Sequence, residues 1–289
     1  MMCPGYRNVR IPWRIISKKL RGVSALLKLV RCEFLKLKRK KFVIFIVLAA
    51  CIMPIPLTAI VLKTGIGQSA DNVMPPAEMY DGLFGMIVGF GNFISMPCII
   101  GIVAAMLFYM ERDNDTLKNL RTIPLSSNQI IAAKIITLFI LGIFYSVALM
   151  ASSMVGGLIG GGINGVGYKL WISIMTGILL TAGTLPVVIA IVFFNRSYIF
   201  SILLSLVYAV GGFGVASTSF TSGNFTNPLL TILPVPLIWR WQVLAIQGDA
   251  AAAAVKETAV SLPLAAGVVG LIAVLSIVGI LFIYGKRES

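Results

Sequence analysis

The feature that most limits how this chain can fold is a series of apolar runs of about twenty residues, nearly free of formal charge and separated by short polar segments. A helix of roughly twenty residues crosses a hydrocarbon core roughly 30 Å thick. In that medium every backbone amide and carbonyl must be bonded within the segment, which favours helices. Six such runs stand out: Phe42–Leu62, Phe84–Met110, Ile130–Met154, Leu170–Phe194, Tyr198–Ser217 and Leu262–Tyr284. A hydrophobic share of 58% against a charged share of 12% fits that picture and no ordinary soluble domain. The expected fold is all-α, a polytopic membrane protein of six transmembrane helices. Its 289 residues leave no room for a large soluble enzyme domain beside it.

The net charge of +14 raises nucleic acid as a partner, but its distribution points to the lipid bilayer instead. Thirteen of the 24 Lys and Arg residues fall within the first 41 positions, just before the first apolar run. Counted by alternating sides, twenty basic residues share one side with both termini, against four on the other: Lys63, Lys169, Arg240 and Lys256. The positive-inside rule then puts both termini of a multi-pass membrane protein in the cytoplasm.

The chain divides into a basic tail over residues 1–23, an amphipathic segment over 24–41 and a six-span domain over 42–289. The tail lacks a periodic pattern and is expected to be loosely ordered, or an extension from an upstream start. Its length and charge do not suit a cleavable signal peptide. In the second segment Leu26, Leu27, Val30, Phe34, Leu35 and Leu37 recur at helical spacing, with Lys28, Arg31, Lys36 and Lys38 among the remainder. This is the pattern of a helix lying in the inner interface, its lysines reaching toward headgroups. Between the fifth and sixth runs, "NPLLTILPVPLIWRWQVLAI" (227–246) is too apolar for free solution, and Pro234 and Pro236 break any single helix through it. An external re-entrant or interfacial element anchored by Trp239 and Trp241 is expected.

Some chemistry is missing. "GGLIGGGINGVG" (156–167) lacks the Gly-Lys-Ser/Thr ending of a phosphate-binding loop, and reads as an external turn with small residues that let helices approach. Four cysteines without ligand spacing, and no histidine, give no basis for a zinc site or a disulfide framework. Glu111, Asp113 and Asp115 form the one dense acidic cluster, but the interleaved Arg112 makes a poor metal site. The six proposed cores hold no ionisable group except Lys134, in the first turn of the third, where it is expected to reach the interface. No catalytic residue, bound cofactor or metal is expected in this chain.

The segment "ERDNDTLKNLRTIP" (111–124) remains to be explained. Asp113 or Asp115 is placed to cap a short helix by accepting bonds from its first amides. Leu117, Leu120 and Ile123 then form an apolar ridge, and Pro124 stops the helix. A short capped helix with an apolar ridge and a charged rim suits docking into a groove on a cytoplasmic partner.

"EFLKLKRKKFVIFIV" (33–47) and "ERDNDTLKNLRTIPLSSNQIIAAKII" (111–136) resemble the ABC-2 type permeases, in particular the bacitracin and lantibiotic export or immunity group. The likeness rests on the basic run before the first span and on Glu111, Thr116, Leu117, Lys118, Leu120, Pro124, Ser126, Ser127 and Lys134. It implies a permease subunit without its own ATPase site, paired with a second permease chain, identical or related. A separate ATP-binding cassette subunit, carrying MgATP, would dock on a coupling helix built from Glu111, Asp113, Asp115, Thr116, Leu117, Lys118, Leu120 and Pro124. Arg196, in the turn between spans four and five, is a candidate for a second cytoplasmic contact. The implied activity is ATP-driven export of a peptide antibiotic. Two alternatives stay open: another cargo (lipid, drug, polysaccharide or sodium), and a non-transporting scaffold or sensor.

Overall fold

The structure, a computed structural model, describes residues 23–39, 42–52, 54–64, 76–113, 127–160, 162–194, 198–222, 228–255 and 260–288. Within these every regular element is a helix. The first helix is α1 (Val23–Arg39), followed by α2 (Phe42–Ile52) and α3 (Pro54–Thr64). Next come α4 (Pro76–Phe90), a π-helical turn (Gly91–Ser95) and α5 (Met96–Asp113), which form one continuous rod. The remainder comprises α6 (Ser127–Ile159), α7 (Val166–Phe194), α8 (Tyr198–Ser222), the one-turn α9 (Leu229–Ile232), α10 (Pro234–Val255) and α11 (Leu262–Glu288).

Among the described residues, five helical stretches are long and apolar enough to cross a membrane: Met79–Phe108, Asn128–Ile159, Val166–Phe194, Tyr198–Thr218 and Leu262–Ile283. They correspond to the second through sixth expected runs and extend past them at five of the ten ends. The first run is not among the five. Its described residues fall in α2 and α3, 11 residues each, on either side of residue 53, which lies outside the described structure.

The central helix is α7, which packs against α6, α11, α5 and α10. Close approach of α6 and α7 depends on glycine. A Cβ on Gly177 would lie 2.9 Å from the Cα of Ile143, and one on Gly142 would lie 2.0 Å from Oγ1 of Thr181. Where the end of α6 meets α3 and α4, Gly156 abuts Thr58 and Leu83, and Gly157 abuts Tyr80. The glycine-rich segment therefore does allow close helix packing.

The expected interfacial element between the fifth and sixth spans is α9 followed by the 22-residue α10. The break falls where proline predicts, since Leu233 is extended (ψ 128°) just before Pro234. Pro234 and Pro236 sit in the first turn of α10, so the helix runs on uninterrupted after them. The two tryptophans, expected as interface anchors, pack against neighbouring helices. Trp241 is buried, and Trp239 stacks on Phe213 with centroids 5.3 Å apart and lies 5.9 Å from Phe93.

Gly177→Val should wedge α6 from α7, because its partner is backbone and cannot turn aside. An overpacking cost of about 1–3 kcal/mol is expected. Thermal unfolding in lipid nanodiscs should show a fall of several degrees, while Gly267→Ala, with nothing within 4 Å of its Cβ position, should leave the midpoint unchanged. Equal effects of the two would contradict this packing.

Candidate coupling site

At the end of the bundle that carries the basic helix, α1 lies against α6. Val30 and Leu37 are buried in this contact, while Leu27, Leu35, Lys28, Arg31 and Lys38 stay exposed. The apolar positions thus split between two faces, one on protein and one outward. On the protein face, one turn from Val30 and one from Leu37, sits Glu33, only 5% exposed. It is the sole acidic residue among the first 41, and Lys36 one turn on donates to its Oε1 at 2.6 Å.

Opposite Glu33 is Lys134 of α6, fully buried at 0% exposure. Its Nζ lies 3.9 Å from Glu33 Oε2, an ion pair beyond hydrogen-bond reach, and 5.2 Å from the centre of the Phe108 ring. The same ammonium donates to the main-chain carbonyl of Leu107 at 2.5 Å. Leu107 is on α5, and in an α-helix its carbonyl is the one that accepts the amide of Glu111. One lysine therefore links three elements: the basic helix, the long α6 and the last turns of α5.

This corrects the expectation that Lys134 reaches the interface. A long side chain at a helix end snorkels only where water lies within its length. Here α1 covers that route, and a buried carboxylate, a carbonyl and an aromatic face replace the water. An ammonium at this depth is costly unless so partnered, and removing one partner of a buried pair costs about 3–5 kcal/mol.

Of the expected coupling residues, Glu111 and Asp113 lie in the last turn of α5. Asp115, Thr116, Leu117, Lys118, Leu120 and Pro124 lie outside the described residues, as does Arg196. Ser127 opens α6, whose 33 residues span about 50 Å, longer than a bilayer core. Among the described residues, no group of three His, Cys, Asp or Glu side chains gathers as metal ligands.

A second charged clasp closes the opposite end. Lys169, at the start of α7, donates to Asp81 of α4 at 2.5 Å and to the carbonyl of Asn164 at 3.0 Å, and also bonds Asn164 Oδ1. Asn164 Nδ2 donates in turn to Asp81 Oδ2 at 3.0 Å, and the ammonium lies 3.9 Å above the Tyr80 ring. The neighbouring Tyr168 hydroxyl donates to the carbonyl of Ala245 on α10 at 2.8 Å. Because α4 and α7 begin earlier than the apolar runs, Asp81 and Lys169 fall inside the candidate spans, which the six expected cores exclude. Neither Glu33 nor Asp81 was marked by sequence reasoning. The available signal is that Glu33 is the one acid among the first 41 residues, and that Asp81 lies on the side of the membrane where Lys169 is expected.

Glu33→Gln and Lys134→Met should each lower the unfolding midpoint in nanodiscs by several degrees, because each strands a buried partner. The double variant should lose less than the sum, with a coupling of about 1 kcal/mol or more. Strict additivity in that cycle would show that the two side chains do not depend on one another.

Residues 29–212, more than half of the chain, match the family model described as ABC-2 family transporter protein. The match runs from within α1 through most of α8 and so includes the Glu33–Lys134–Leu107 link. No curated protein matches the chain at a significant level.

Proposed function

The chain belongs to the ABC-2 transporter family, and on that premise we propose that it is the membrane subunit of an ATP-driven exporter expelling a peptide antibiotic of the lantibiotic or bacitracin type. A permease of this family is a transport component and typically not itself the ATPase. In the proposed assembly, two permease chains form the pathway in a bacterial plasma membrane. Both termini and the 111–124 loop face the cytoplasm, and an ATP-binding cassette subunit carrying MgATP docks on that loop.

The observation that carries the coupling part of this reading is the bond from Lys134 to the carbonyl of Leu107, one turn before Glu111. A push on the loop would enter α5 at its last turn. Through Lys134 the same displacement reaches α6 and, through Glu33, the basic helix on the membrane surface. Neither flexible side-chain contacts at the rim nor a lipid-anchored helix could transmit it as stiffly. The ridge of Leu117 and Leu120 supplies the docking face, with Lys118 and Asp115 at its charged rim. The cargo class is supported by the likeness of the 33–47 and 111–136 segments to the bacitracin and lantibiotic group.

Mild-detergent purification of the full chain from its native membrane tests the assembly. An ATP-binding subunit should co-purify, with ATPase activity that rises with bacitracin or a lantibiotic. Leu120→Asp should reduce that co-purification at least about tenfold by placing a charge in an apolar groove, while membrane insertion stays normal. Undiminished association of this variant would remove the docking assignment, and purification without any nucleotide-binding partner would remove the exporter.

A further inference from the structure

Near the middle of the bundle a set of polar side chains departs from the way this protein treats its other buried hydroxyls. Thr137, Thr181, Thr184 and Ser205 are all buried, and each donates to the carbonyl four residues back at 2.6 to 2.8 Å. That is the usual means by which a helical hydroxyl satisfies itself in an apolar setting. Ser173 and Thr176 on α7 are equally buried, yet neither hydroxyl has a hydrogen-bond partner. On α10, Gln242 is 1% exposed with neither its Nε2 nor its Oε1 bonded. Asn92, wholly buried in the π turn, donates from Nδ2 to Ser146 at 3.1 Å while its Oδ1 accepts nothing.

These residues occupy one level of the bundle. On α7, Gln242 is bracketed by Gly183, whose Cβ position is 2.5 Å from Pro234, and by Tyr168, bonded to the carbonyl of Ala245. On α4 and the π turn it is bracketed by Phe93, 5.9 Å from Trp239, and by Gly85, whose Cβ position is 3.5 Å from Ile246. Gly177 against Ile143 sets Thr176 beside the turn of α6 that holds Ser146, the partner of Asn92. Asn92 and Ser146 lie near the midpoints of the spans Met79–Phe108 and Asn128–Ile159, while Ser173 and Thr176 lie about one and two turns along α7 from Lys169.

An unmet polar atom costs about 1–3 kcal/mol in a protein interior, and more in hydrocarbon. Five such atoms on three helical elements at one level is a concentration that folding alone does not reward. A π turn, here carrying Asn92, is a frequent mark of a functional position in a helix. The set offers two carbonyl acceptors, one amide donor and two hydroxyls that can do either. It carries no formal charge, so an ion would enter without a counter-charge.

We propose that Asn92, Ser173, Thr176 and Gln242 form a binding site at membrane depth for an uncharged ligand that both donates and accepts hydrogen bonds. Water and a peptide amide share that chemistry. Water satisfies it in the protein alone, and an amide of the cargo satisfies it in transit. The amide source rests on the cargo class proposed above, whereas the site itself does not.

The test is the unfolding midpoint of the full chain in phospholipid nanodiscs for wild type, Gln242→Met, Thr176→Val and the double variant. Apolar side chains of similar shape should raise the midpoint if the polar atoms are unpaired, and lower it if a ligand pairs them. The site predicts a fall of at least about 3 °C for each single change, and less than the sum for the pair. A rise in both single variants overturns the site. Should Gln242→Met fail to fold, Thr176→Val, which keeps the side chain's shape, carries the same comparison alone. Added bacitracin then separates the sources. A midpoint raised in wild type and unmoved in Thr176→Val assigns the site to a peptide amide as well as water. A fall in the variants with no bacitracin effect in wild type assigns it to water and overturns the amide half.

Discussion

One buried ammonium organises the end of this protein where the basic helix lies. Lys134 has no exposed surface, and it is held by a carbonyl of α5, a carboxylate of α1 and an aromatic face. None of these contacts is strong alone, and a charge in this setting stabilises little in net terms. Its effect is on specificity of arrangement: α1, α5 and α6 cannot shift separately without stranding a charge where water does not reach. A low-dielectric setting makes such a junction stiff and its disruption expensive.

The two ends of the bundle are built alike and the middle differently. Lys134 with Glu33 and Lys36 at one end, and Lys169 with Asp81 and Asn164 at the other, are each a small charged cluster joining different helical elements. Between them, α6 and α7 meet through glycine, which permits backbone to approach backbone where hydrophobic burial gives no advantage over lipid. Asn92, Ser173, Thr176 and Gln242 bring uncharged polar groups to that interior. The clasps hold the rods in register, and the neutral middle leaves them free of charge-pair constraints.

How much of this can be read from residues alone depends on the physical range of each signal. The long helices are legible because charge-free runs of spanning length admit one backbone solution in lipid. Proline is legible where its missing amide decides, before Pro234. The amphipathic pattern of α1 is legible as a helix, but not as two-sided, because periodicity cannot tell a lipid from a protein neighbour. The same limit hides the helix neighbours of Trp239 and Trp241, whose chemistry suits an interface and a core equally. Lys134 and Lys169 read as surface charges because their partners, Glu33 and Asp81, are about a hundred and about ninety residues away in the chain. A pairing at that separation leaves no trace in local pattern. The docking face over 114–126 stands on the sequence, since those residues lie outside the described structure.

The central claim is that Lys134 carries motion between the 111–124 loop and the spans. Its most direct test is a distance measurement between spin labels at Val155 on α6 and Leu271 on α11, both exposed, in a chain whose four cysteines are replaced by serine. The labelled chain would be reconstituted with its co-purified ATP-binding subunit and trapped with ATP and vanadate. The account predicts a nucleotide-dependent change in that distance in the parent, lost in Lys134→Met while ATP-binding subunit and hydrolysis are both retained. An identical change in the two proteins would contradict it, and the buried lysine would then be a structural pin without a part in coupling.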